Sequence, residues 1–458
     1  MIIRRARFLA TLALLPLVAT AQPSGPITRG YRAQADRIID AALADSSVAW
    51  NTLARFTDYS GNRLSGSASL ERGIDWLLGE MQKQGLDNVR GEPVMVPHWV
   101  RGGESATLLE PRVAPLPMLG LGGSIATPKG GITAEVLVVS DYAELTRRAA
   151  EARGKIVLFD ARFTNYGATV AYRGGGAIAA AKVGAVASLI RSVGPYSMRT
   201  PHTGAMSYDA NVPKIPHAAI TSEDADMLHR MQSRGERIVV RLAMEAETLP
   251  DAPSRNVVAE LQGSGRPDEV VVIGGHVDSW DVGRGAMDDG GGLVVAWEAI
   301  RLLKRLGLTP RRTIRVVGWT NEENGGRGGA AYRDAHKAEL DKHVLAIESD
   351  GGVFAPLGFG FTGSDSARTI VQQVSALLAR LKADALGANG GGADVGPIMQ
   401  LGVPGMGLEV DGTRYFWFHH TDADTMDKLD PAEMQKCVAV MAVMAYVVAD
   451  LPERLPRK

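Results

Sequence analysis

After residue 256 the chain alternates short, continuous apolar runs with stretches of helical spacing, and the runs stop at an acid or a histidine beside glycines. The runs at 270–273, 313–319 and 344–347 are too uniformly apolar for strands with one wet face, and helical patterns at 292–306 and 367–381 separate them. Strands that are apolar on both faces and joined through helices predict an α/β fold, a mostly parallel central sheet with helices on both faces. In such sheets the ligand crevice lies outside the carboxyl ends of the strands. Chemistry is therefore expected where these runs end.

What stands there is a set of metal-ligating side chains. The first run leads into His276-Val277-Asp278, and a glycine-rich loop then reaches Gly285-Ala286-Met287-Asp288-Asp289-Gly290. The second run leads to Glu322-Glu323-Asn324-Gly325, and the third to Asp350-Gly351-Gly352. Near the C-terminus lies His419-His420-Thr421, with Asp424 in the same turn. Imidazoles and carboxylates suit zinc where no thiolate is available. Two such ions need a bridging anion between them. One shared Asp, with one His and one carboxylate for each metal, divides five ligands evenly. Two zinc ions against three carboxylates leave one positive charge, which a bridging hydroxide balances.

Elsewhere the chain shows other rhythms. A helical pattern at 27–82 is broken by polar residues near Tyr59, and a Gly/Pro/Leu-rich crossing follows at 116–131. Strand-like runs at 134–139, 155–159, 185–190 and 237–242, with an Ala/Gly-rich helix near Ala180, predict a small β-rich unit over 120–250. Pro250-Asp251-Ala252-Pro253 marks the return. The expected domains are a leader at 1–21, a first part of the main domain at 22–119, the insertion at 120–250, and the second part at 251–458.

The leader has Arg4, Arg5 and Arg7 before an apolar run that closes in Ala19-Thr20-Ala21, the pattern of a cleaved secretory signal. No later stretch reads as a membrane span, so a secreted or periplasmic protein is expected. Its lone cysteine, Cys437, lies in an apolar helical pattern and is expected in the core. With 50 basic against 51 acidic residues, the composition gives no electrostatic reason for a nucleic-acid partner.

Five motifs in order make the chain resemble the co-catalytic zinc peptidases of the aminopeptidase type, and within them the carboxypeptidase Q branch. They are His-x-Asp, Gly-Ala-x-Asp-Asp-Gly, Glu-Glu-x-Gly, Asp-Gly-Gly and His-His-x-x-x-Asp-Thr, spread over 256–431. The resemblance implies a zinc exopeptidase fold with two Zn²⁺: His276 and Asp350 on one, Glu323 and His420 on the other, Asp288 bridging. It makes Glu322 the general base in attack by metal-bridged hydroxide, and Asp278 the acceptor of the His276 ring proton. It also implies a cis peptide at Asp288-Asp289. A looser similarity, at Gly154-Lys155-Ile156-Val157-Leu158-Phe159 and in 214–221, links the insertion to protease-associated domains. Short peptides or dipeptides as substrates and a homodimer follow from the same resemblance. Two other classes stay open: a receptor-like binding protein that has lost its metals, and a single-zinc enzyme of the glutaminyl cyclase kind.

Overall fold

The computed structural model describes residues 25–457; the leader expected at 1–21 lies outside the described residues. Two eight-stranded sheets organise the chain. The first runs Asp87–Val100, Glu247–Leu261, Arg312–Trp319, Arg266–His276, His343–Glu348, Gly405–Val410, Pro356–Thr362 and Ala385–Gly387. Its four central strands, from Arg312–Trp319 to Gly405–Val410, are parallel, and the flanking pairs are mainly antiparallel. Arg312–Trp319 and His343–Glu348 are buried at every position, as strands covered on both faces must be.

Helix Gly291–Arg305 packs on this sheet through a point where no side chain fits. A Cβ on Gly275 would lie 2.1 Å from Asp289 Oδ2 and 2.8 Å from the Leu293 amide nitrogen. The glycines after the first apolar run thus let the helix start seat directly against the strand end.

Helix Pro431–Asp450 corrects one expectation. By length and hydropathy it could cross a bilayer, although no such stretch is expected after the leader. Its residues alternate Met, Val and Ala with few charges, and from Met434 to Ala449 only Lys436 is not buried. The apolarity serves the main core, where Cys437 is fully buried and its thiol donates to the Phe354 carbonyl.

The second sheet runs Ala114–Leu116, Glu104–Glu110, Val239–Met244, Ile132–Val139, Ile156–Phe159, Ala187–Arg191, His217–Ile220 and Met118–Gly120. Its centre is parallel, with helix Tyr166–Lys182 joining Ile156–Phe159 to Ala187–Arg191, so it is α/β rather than simply β-rich. It also begins earlier than residue 120. Glu104–Glu110 pairs antiparallel with Val239–Met244, burying Ala106 and Leu108 while Glu110 at its end stays exposed.

Candidate metal centre

Asp288 lies at the middle of the site. Its Oδ1 is 3.1 Å from Nε2 of His276, and its Oδ2 is 3.4 Å from Nε2 of His420. Each imidazole has a second carboxylate: Asp350 Oδ1 lies 3.5 Å from His276 Nε2, and Glu323 Oε2 lies 2.9 Å from His420 Nε2. The five side chains that the sequence singles out therefore form two His–carboxylate pairs that share one Asp.

The segment that carries Asp288 is held from below. Its peptide bond to Asp289 is cis. Asp424 accepts the amides of Ala286 and Met287 at Oδ1 and that of Asp288 at Oδ2. Asp289 accepts His276 N and Gly292 N, joining the strand end to the helix start. Arg63, fully buried, donates to the carbonyls of Gly61, Val277, Arg284 and Gly285. The sequence reading leaves Arg63 in a polar break between helices. Three of its four acceptors lie on loops more than 200 residues downstream.

Asp278 acts differently from the expectation. The Nδ1 of His276 lies 3.0 Å from the Asp278 backbone carbonyl, while the Asp278 carboxylate stays 3.7 Å away. That carboxylate instead accepts the amides of Glu322 and Glu323 at 3.1 and 3.3 Å. The physical reason is local: the Glu pair sits in a turn after the strand, and its two free amides need an acceptor. Asp278 still fixes the His276 tautomer, through its main chain.

Of the adjacent histidines, both approach Asp288 Oδ2, His419 at 3.5 Å. His420 alone has an oriented second nitrogen, with Nδ1 3.3 Å from the Thr203 carbonyl, whereas His419 Nδ1 is buried without a partner. His420 also contacts Glu323, and its φ of 60° is rare for a residue with a side chain. The geometry thus favours His420 as ligand, with His419 stacked on it at 3.5 Å.

The donor set is suited to cations. Asp288 Oδ2, Glu323 Oε1 and Asp350 Oδ1 are buried and accept no hydrogen bond. Burial disfavours a charged His420, yet Glu323 and Asp288 outweigh it and hold its imidazole up to about 10. Burial, with the charges of Asp350, Glu323 and Asp278 added, pushes the Glu322 carboxyl up to about 9. Such a cluster needs positive charge, and metal ions supply it by displacing the imidazole protons.

A cavity of about 300 Å³ opens over the cluster, lined by Glu322, Asp288, Glu323, Asp350, Tyr415 and Phe416 among others. Tyr166 and Arg173 also line it, and both come from helix Tyr166–Lys182 of the second sheet. The sequence reading does not foresee them. Asp394 is buried beside the site instead of lining the cavity; burial and the neighbouring Glu348 push its carboxyl well above the usual range.

Residues 256–445 match the sequence model of peptidase family M28. The chain is 53% identical over 429 residues to carboxypeptidase Q of Xenopus laevis, covering 93% of this chain and 92% of that protein. It superposes on the solved structure of a peptidase M28 precursor from Shewanella amazonensis with a TM-score of 0.91 and 38% identity, covering 94% and 99% of the two chains. A zinc aminopeptidase from Bacillus subtilis shares the fold, with a TM-score of 0.67 and 20% identity over 90% of this chain and 99% of that one.

Proposed function

The chain belongs to peptidase family M28 and is a metallopeptidase, and on that premise we propose that it is an exported exopeptidase that binds two zinc ions and cleaves short peptides. One observation carries the reading: the two oxygens of Asp288 face two separate His–carboxylate pairs. His276 and Asp350 would hold one ion, His420 and Glu323 the other, with Asp288 between them. When bound, the ions would supply Lewis acidity and a more acidic water.

The protein side of the reaction rests on Glu322. Its carboxyl lines the cavity next to the ligands, while Asp278 holds its amide. Positive charge bound beneath it favours its ionised form, the form that can accept a proton. In this reading Glu322 takes a proton from the attacking water and returns it to the departing amine. Tyr415, Phe416 and Tyr166 wall the cavity and limit water around the scissile bond.

The small size of the cavity, about 300 Å³, supports short substrates, and the helix of the second sheet that forms one wall fits a capping role for a protease-associated insertion. Export rests on the sequence of residues 1–21. The test is hydrolysis of one free dipeptide beside its N-acetylated and C-amidated forms by the zinc-loaded protein. Loss on acetylation alone indicates an aminopeptidase, loss on amidation alone a carboxypeptidase, and loss on both a dipeptidase. No cleavage of any form would overturn the reading.

A further inference from the structure

Two short segments carry the chain between the sheets, from Val100 to Glu104 and from Met244 to Glu247, and they run side by side. The Glu245 amide donates to the Gly103 carbonyl at 3.0 Å, and a Cβ on Gly102, at φ +67°, would come within 2.8 Å of the Glu245 carbonyl oxygen. A two-chain crossing with glycines in it leaves the angle between the sheets free to vary, so contacts beyond it must set that angle. The angle matters because a loop of the second sheet carries Thr203, which holds His420.

Arg101 lies in this crossing, and its side chain is only 11% exposed. Its Nε and Nη2 donate to Oδ2 and Oδ1 of Asp281 at 2.7 and 2.5 Å, a two-pronged pair with the loop between His276 and Asp288. Its Nη1 donates to the Gly120 carbonyl, and Nη2 also reaches the Thr203 hydroxyl at 3.3 Å. Thr203 Oγ1 in turn donates to the Gly120 carbonyl at 2.9 Å. One guanidinium thus joins the loop that leads to Asp288, the second sheet's strand Met118–Gly120, and the residue that clasps His420. Among the described residues, no other ion pair of an arginine or lysine joins the crossing or the second sheet to a loop of the first sheet. The guanidinium lies 5.1 Å over the Trp99 ring, and Glu104 stands 3.5 Å from Nη1, which holds the side chain in place.

We propose that Arg101 is a positioning residue: it registers the second sheet on the metal centre and, through Thr203, sets the orientation of His420. The proposal rests on the two-metal reading and names what holds one of its ligands. Arg101 touches neither the cavity nor the ligands, so its effect passes through the Thr203 main chain. A planar fork fixes direction as well as charge, and a lysine ammonium reproduces only the charge.

Zinc affinity, measured against a competing chelator, separates the two metal sites when it is read in Asp350→Ala, which keeps the His420 site, and in His420→Ala, which keeps the His276 site. Arg101→Met should weaken binding about 10-fold or more in the first background, the usual effect of losing an orienting group, and leave the second unchanged. Arg101→Lys should fall between. Thr203→Val removes the hydroxyl at almost constant shape; if Arg101 acts through Thr203, the double variant binds no more weakly than Arg101→Met alone. Hydrogen exchange at the Thr203 amide, which donates to the His420 carbonyl, reads the same coupling in metal-free protein. It should speed up in Arg101→Met while the amides of Ile156–Phe159 keep their rate, which also shows that the variant folds. Equal weakening in both backgrounds, additive losses in the double variant, or unchanged exchange at Thr203 would overturn the proposal. Should neither background bind zinc, the two-metal reading fails, and exchange at Thr203 alone decides the role of Arg101: faster supports it, unchanged removes it.

Discussion

Thr203 and His420 hold each other at two points: the Thr203 amide donates to the His420 carbonyl at 2.9 Å, and the His420 Nδ1 faces the Thr203 carbonyl at 3.3 Å. The loop that follows the second sheet's strand thereby fixes a candidate ligand of the first, at a backbone φ of 60°. Gly204 is next in the chain, with φ +138° and no room for a Cβ beside Arg173. Gly204→Ala should destabilise the protein by about 1–3 kcal/mol. It should also weaken the site that His420 serves by about 10-fold or more, the usual effect of losing an orienting partner. Zinc affinity measured against a competing chelator checks this; an unchanged affinity would show that the clasp does not orient the ligand.

Glu322 lines the cavity and is not a ligand in this account. Glu322→Gln should keep the zinc content and the melting temperature while kcat falls about 10²- to 10⁴-fold, the range for a lost general base. A variant that loses metal instead would make Glu322 a ligand.

Arg63 supports the loop under Asp288 through four carbonyls. Arg63→Met fills similar space but leaves those acceptors short of donors in a buried place. A loss of about 3 kcal/mol or more in urea unfolding is expected. A loss below 1 kcal/mol would mean that water replaces the guanidinium freely.

These features differ in how far the sequence reveals them. His276, Glu323 and Asp350 follow apolar strands at their carboxyl ends, where the fold class itself directs attention, and the glycines beside them allow close packing. Arg173 has no such signal. It sits in an Ala/Gly-rich helix and meets His420 across 247 residues of sequence, in a different sheet. The resemblance assigns the Asp278 carboxylate to the His276 ring, but its partners are set by the turn at Glu322. Glu104–Glu110 carries no local sign that it belongs to the second sheet, because its partner strand lies more than 120 residues away.

Acid should destabilise the fold through neutral buried histidines away from the metal cluster. Burial holds the His217 imidazole down to about 4, and the same cause brings His343 to about 4. Unfolded, each takes a proton below about 6.5; folded, each stays neutral until about 4. The unfolded chain therefore binds more protons in that window, and stability falls as the pH drops through it, by about 1.4 kcal/mol per unit for each group. The loss levels off below about 4. Urea midpoints at several pH values should show this slope, and His217→Gln should reduce it by one proton; an unchanged slope would mean that His217 is already protonated in the fold.

The most direct test is the zinc content per chain after dialysis, for wild type and single-ligand variants. Two ions are expected in wild type, one in Asp350→Ala and in His420→Ala, and still two in His419→Ala. One ion in wild type, or two in His420→Ala, would contradict the reading of Asp288 as the bridge between two metal sites.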